Sequence, residues 1–163
     1  MSETDDLPLY LGISIHRNAR DVYDFAAAPE NLSQWASGLG QTLRKVNGEW
    51  IADITAGEVK IRFVERNAFG VLDHWVTTAQ GREISIPLRV ITHGDGSNLM
   101  LTLFRQPGMS DEQFEADAAW VLRDLATLKR LLETRCTEDT SSDGNSATTP
   151  SRTFKGRGRV GMG

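Results

Sequence analysis

The feature that most constrains this fold is a series of short turn signals through the middle of the chain. Asn47-Gly48, Thr55-Ala56-Gly57, Asn67-Ala68-Phe69-Gly70, Gln80-Gly81 and Asp95-Gly96 separate six short apolar runs. Parallel neighbours need a crossover of about a dozen residues or more, so these turns force consecutive strands to be antiparallel. The middle of the chain therefore reads as a meander. Before it, residues 7–15 read as a further strand. Asn18 then caps a short helix over 19–27, and Pro29 suits the first turn of a second short helix running through Trp35. After it, Ser110 and Gln113 form a capping box, and Asp111 and Glu112 complement the positive end of a helix dipole. Phe114, Ala118, Val121, Leu122, Leu125, Leu128 and Leu132 then recur at three- and four-residue steps, which predicts one long helix with an apolar stripe laid on the strands. The expected class is α+β, with seven antiparallel strands, two short helices after the first strand and a long C-terminal helix.

A length of 163 residues and a net charge of -4 fit one domain. Residues 137–163 are rich in Gly, Ser and Thr and nearly free of branched apolar side chains, so they read as a disordered tail behind a folded domain at 1–136. Within that tail, Gly156, Gly158 and Gly161 match G-x-G-x-x-G, but the motif needs a strand before it and a helix after it to bind a dinucleotide. The mildly acidic, dispersed charge gives no field for nucleic acid and no steering toward an anionic membrane. Cys136 is the only cysteine, so no internal disulfide forms. With no basic, apolar leader at the N-terminus, the expected location is cytoplasmic.

Strand alternation suggests what a site would look like. Val59, Ile61 and Phe63 share one side of their strand, and Ile84, Ile86, Leu88 and Val90 share one side of theirs. A two-residue loop at Gln80-Gly81 would oppose Thr77 to Ile84, Trp75 to Ile86 and Asp73 to Leu88. The same reasoning at Asp95-Gly96 opposes Leu101 to Val90 and Leu103 to Leu88. Asp73 and Trp75 then lie on an apolar strip, while Leu72, His74, Arg89 and Phe104 turn to the other face. In that place Asp73 is the polar handle of a ligand cavity, a general acid/base, or a strand-end carboxylate satisfied by Arg, Lys, backbone amides or water. Trp35, Trp75 and Trp120 either line a site for a flat ligand or belong to the core. His16, His74 and His93 lack metal-ligand spacing, and no nucleophile elbow or phosphate loop is present, so neither a metal nor a cofactor is expected.

Three passages, RNARDVYDFAAAPENLSQWASGL, FGVLDHW and FRQPGMSDEQFEADAAWVLRDLATLKRLLE, sharpen this order of elements. With them the chain, from about residue 9 to 134, resembles the START-like SRPBCC superfamily (Bet v 1-like), and within it the bacterial polyketide cyclase/dehydrase-like members. The resemblance implies a helix-grip fold, in which a curved antiparallel sheet wraps the C-terminal helix and leaves a largely apolar cavity. The superfamily hosts carriers, receptors, cyclases and co-chaperones, so the fold leaves activity open.

The leading expectation is binding of a hydrophobic small molecule (lipid, aromatic or polyketide-like) between helix and sheet. Its lining would draw on Trp35, Phe63, Asp73, Trp75, Ile86, Leu88, Leu101, Leu103, Val121 and Leu125. The alternatives are a cyclase or dehydrase using Asp73 as acid/base, and a co-chaperone-like protein-interaction module near Met100, Thr102 and Phe104.

Overall fold

The computed structural model describes residues 7–141. Strand β1 (Leu9–Ile15) leads into α1 (Ala19–Ala26), whose N-cap Asn18 accepts a hydrogen bond from the Asp21 N–H at 2.9 Å. Pro29 starts a 3-10 turn that runs straight into the single turn of α2 (Leu32–Trp35). The meander follows as β2 (Arg44–Val46), β3 (Glu49–Ile54), β4 (Gly57–Phe63), β5 (His74–Thr77), β6 (Glu83–Ile86), β7 (Leu88–His93) and β8 (Gly96–Leu103). Helix α3 (Asp111–Ser141) completes the domain. It extends past the boundary expected at 136, and residues 142–163 of the expected tail lie outside the described residues.

The described strands number eight rather than seven, in two antiparallel ladders ordered β1-β8-β7 and β2-β3-β4-β5-β6. Pro87 causes the difference: it has no N–H to donate and divides the expected single strand into β6 and β7. The hairpin nonetheless keeps one register across the break. His74 faces Ile86 and Val76 faces Ile84 in the β5–β6 ladder, and Val71 still bridges Arg89 beyond it. Leu72 N–H donates to Leu88 O at 2.8 Å, and Val90 N–H donates to Gly70 O at 2.9 Å. This hairpin joins the two ladders.

Two loops differ from expectation, with opposite consequences. At the β7–β8 turn the loop is Gly94-Asp95, so Leu88 faces Leu101 and Val90 faces Leu99. That is a shift of two residues, which leaves every side chain on its expected face. At the β5–β6 turn Thr78 pairs with Arg82 through a 2.9 Å bond, and the loop is 79–81 with Gly81 in the left-handed region at φ 80°. That is a shift of one residue, so it inverts the face of every residue on β5.

Helix α3 is held firmly at one end. Ser110 N–H donates to Gln113 Oε1 and Gln113 N–H to Ser110 Oγ, as the capping box requires. Its later turns bury Leu125, Leu128 and Leu132 in a core with Ile15, Val22, Phe25, Leu88 and Leu99. Leu122, expected on the stripe, is 43% exposed instead. Lys129 Nζ donates to Ser14 O at 2.7 Å, His16 N–H donates to Glu133 Oε1 at 3.0 Å, and Arg17 donates to Leu132 O at 2.9 Å. A smaller cluster of Ala52, Val59, Ile61 and Val76 forms under the other ladder, and Ile86 packs against both clusters.

Gly70 and Gly81 both have positive φ, but only Gly70 is crowded: a Cβ there would collide with Val90 O. Gly81→Ala should cost about 1–2 kcal/mol, the left-handed penalty alone. Gly70→Ala should cost about 1–2 kcal/mol more, because a backbone carbonyl must also move. Urea unfolding of both variants checks the order; equal losses would contradict the close approach.

Candidate functional site

A cavity of about 770 Å³ lies between the first half of α3, the α1–α2 segment and the inner face of the strands. Its position follows from the anchoring of α3. The turns around Leu125 to Leu132 fill the core, while the Asp117, Trp120, Val121 and Asp124 turns stand off the sheet and border the space. Trp120 Nε1–H donates to Ser37 Oγ at 2.5 Å, and Ser37 donates to Asp124 from Oγ at 2.7 Å and from its backbone N–H at 3.2 Å. These bonds tie the segment after α2 to α3 at the cavity border.

Trp35, Phe63, Asp73, Ile86, Leu88, Leu101, Leu103, Val121 and Leu125 all border this cavity. Trp75 does not. The one-residue register shift places it opposite Arg62 and Ser85 on the outer face, where the Arg62 guanidinium lies 4.0 Å from its ring centroid. Its place is taken by His74, which sequence reasoning turned away. His74 faces Phe63 and Ile86 across the ladder, and its ring lies 5.9 Å from that of Phe63. Gly81 was the available signal, since a glycine closing a three-residue loop fits a type I turn followed by a left-handed residue.

Asp73 is engaged by protein partners. Arg89 donates to it twice, Nε to Oδ1 at 2.9 Å and Nη2 to Oδ2 at 2.6 Å, and Leu88 N–H donates to Oδ1 at 3.0 Å. The carboxylate is thus satisfied by protein groups while it borders the cavity. Its pKa is held below the ordinary value first by the hydrogen-bonded Arg89 guanidinium, against a desolvation that pushes it up, with further help from the Leu88 amide. A carboxylate held ionised in this way is a poor proton donor, and both of its oxygens already accept hydrogen bonds from the protein. The same bonds orient His74. Because Leu88 N–H goes to Asp73, the Leu72 carbonyl is left for the imidazole, and His74 Nδ1 lies 3.3 Å from it. Burial pushes the His74 pKa down, against smaller opposing effects of Leu72 O and Asp73, so the ring is neutral at pH 7.

The protein-interaction alternative placed Met100, Thr102 and Phe104 on an outer face. Met100 is 40% exposed opposite Gly12 and Arg89, and Thr102 lies opposite Tyr10, but Thr102 and Phe104 also border the cavity. Among the described residues no cluster of His, Cys, Asp and Glu could hold a metal, and no helix is long and apolar enough to cross a membrane.

The Asp73–Arg89 pair gives a test with a definite sign. A depressed carboxyl pKa contributes stability above the unfolded value near 3.8, and that contribution is lost as pH falls through the lowered folded value. Asp73→Asn should therefore cost about 1–3 kcal/mol at pH 7, with the deficit shrinking below pH 4. Chemical unfolding across this range measures it; a deficit that stays constant with pH would contradict the ion pair.

No protein-family model matches the sequence, and no curated protein matches it. Solved structures do. DynU16, a protein of the dynemicin biosynthetic locus, superposes with a TM-score of 0.59 at 17% identity over 78% of this chain. This chain spans about half of DynU16, 47% of its length. The Aha1 dimer structure from Colwellia psychrerythraea gives 0.59 at 14% identity, covering 78% of this chain and 96% of that one. Ara h 8.0201 gives 0.59 at 11% identity, covering 79% and 99%. These neighbours are Bet v 1-like, SRPBCC-type structures, and at such identities the likeness concerns architecture alone. The chain has the Bet v 1-like helix-grip fold.

Proposed function

We propose that this protein binds a hydrophobic small molecule in the cavity between α3 and the strands, and that the ligand is aromatic or polyketide-like. The observation that carries the reading is the cavity: about 770 Å³, a volume suited to a drug-sized molecule, walled mainly by side chains such as Leu88, Leu101, Leu103, Val121 and Leu125. Burial of a ligand's apolar surface there supplies the driving force. The rings of Trp35, Phe63 and His74 on the border favour a flat ligand over a plain acyl chain. The likeness to DynU16, a protein of the dynemicin biosynthetic locus, further supports a small-molecule ligand. A cyclase or dehydrase reading that uses Asp73 for proton transfer has less support, because Arg89 and Leu88 occupy that carboxylate.

Leu101 is the wall position to test, since it is buried and faces both Leu88 and Leu11 across the ladder. Leu101→Trp should intrude into the cavity and weaken binding of the neutral reporter dye N-phenyl-1-naphthylamine at least tenfold. The substitution should cost about 1–3 kcal/mol of stability. Met100→Trp, on the outer face of the same strand, should leave dye binding unchanged. Fluorescence titration of both variants decides; equal affinity for Leu101→Trp and wild type would remove the proposed site.

A further inference from the structure

We propose that His74 Nε2 is the polar anchor of the cavity and selects a neutral, hydroxyl-bearing aromatic ligand over its ionised carboxylate counterpart. This rests on the cavity-binding reading above and adds the ligand's polar chemistry. The imidazole is inward-facing, in tilted contact with Phe63 and opposite Ile86, and it borders the cavity. Its Nδ1 lies 3.3 Å from Leu72 O. A carbonyl oxygen only accepts, so in the neutral ring the hydrogen sits on Nδ1 and the lone pair on Nε2. Among the described residues, Nε2 has no protein partner. It is an acceptor in an apolar wall, and a ligand group that donates to it gains a hydrogen bond in a weakly screening setting.

The charges at the border say which donor fits. The charged residues bordering the cavity are Asp53, Arg66, Asp73, Asp117 and Asp124. Arg66 is engaged by Asp24, Asp53 by Arg44, Asp73 by Arg89, and Asp124 by Ser37. Asp117 has no ion pair among the described residues, and burial pushes its pKa up. An ionised carboxylate entering this space meets acidic neighbours and no uncommitted cation among the described residues, and it cannot donate to Nε2. A phenol or alcohol meets neither obstacle. Asp73 acts here as a positioning residue: by accepting the Leu88 N–H it leaves Leu72 O to fix the His74 tautomer.

Three compounds on one ring system separate the possibilities: 2-naphthol, naphthalene and 2-naphthoate, titrated at pH 7 by displacement of the reporter dye. The expected order is naphthol tighter than naphthalene by about fivefold to tenfold, the worth of one hydrogen bond, with naphthoate weakest. His74→Phe keeps a ring against Phe63 and should bring naphthol down to the affinity of naphthalene without changing naphthalene itself. A readout that needs no variant is the ¹⁵N shift of His74 Nε2 in the wild-type protein, which should move with naphthol and stay put with naphthalene. A naphthol preference that survives His74→Phe, an Nε2 shift that ignores naphthol, or naphthoate binding as tightly as naphthol would each overturn the inference while leaving the cavity reading intact. Failure of all three compounds to bind would overturn the cavity reading, and this inference with it.

Discussion

The hairpin from Gly70 to Val90 holds one register from end to end, and the chemistry of the cavity wall depends on it. Gly81 closes its loop at one end, and the close approach of Gly70 to the Val90 carbonyl sets the other. Between them Pro87 breaks the strand, yet the pairing continues on the far side through Val71 and Arg89. A side chain on a strand has only two directions available, so moving the register by a single residue would exchange His74 for Trp75 on the inner wall.

The Leu72–Leu88 pair of this hairpin is only half closed by backbone. Leu88 N–H, at a position that would ordinarily close a reciprocal pair with Leu72, donates to the Asp73 carboxylate. Arg89 completes the satisfaction of that carboxylate from the outer face, and Leu72 O is released to the His74 ring. One diverted backbone donor, the Leu88 N–H, thus connects the Asp73–Arg89 ion pair to the orientation of a ring inside the cavity. Arg89 and Asp73 thereby determine which nitrogen of His74 a bound ligand meets.

The element order and the capping of both α1 and α3 were legible because each rests on local chemistry: Asn18, Pro29, and the pairing of Ser110 with Gln113. Leu101 and Leu103 could be assigned to the inner face even though the β7–β8 loop was misplaced, since a two-residue shift preserves faces. Asp73, His74 and Trp75 could not be placed, because their faces turn on whether a loop has two residues or three. The division at Pro87 was visible as a residue type, but the carboxylate that takes up the Leu88 N–H beside it lies at Asp73, and only the folded register brings the two together. The hollow itself is a property of three-dimensional packing: α3 is pinned by Lys129, Glu133 and Arg17 near one end of the sheet and stands off at the other.

The central claim is that the space under the early turns of α3 is a ligand chamber rather than a packing defect. Intermolecular nuclear Overhauser effects between 2-naphthol and the methyl groups of the protein test it most directly. The account predicts contacts to Leu88, Leu101 and Leu125, which line the space from the strands and from the helix. Contacts confined to the outer face, at Met100 and Ile91, would contradict it.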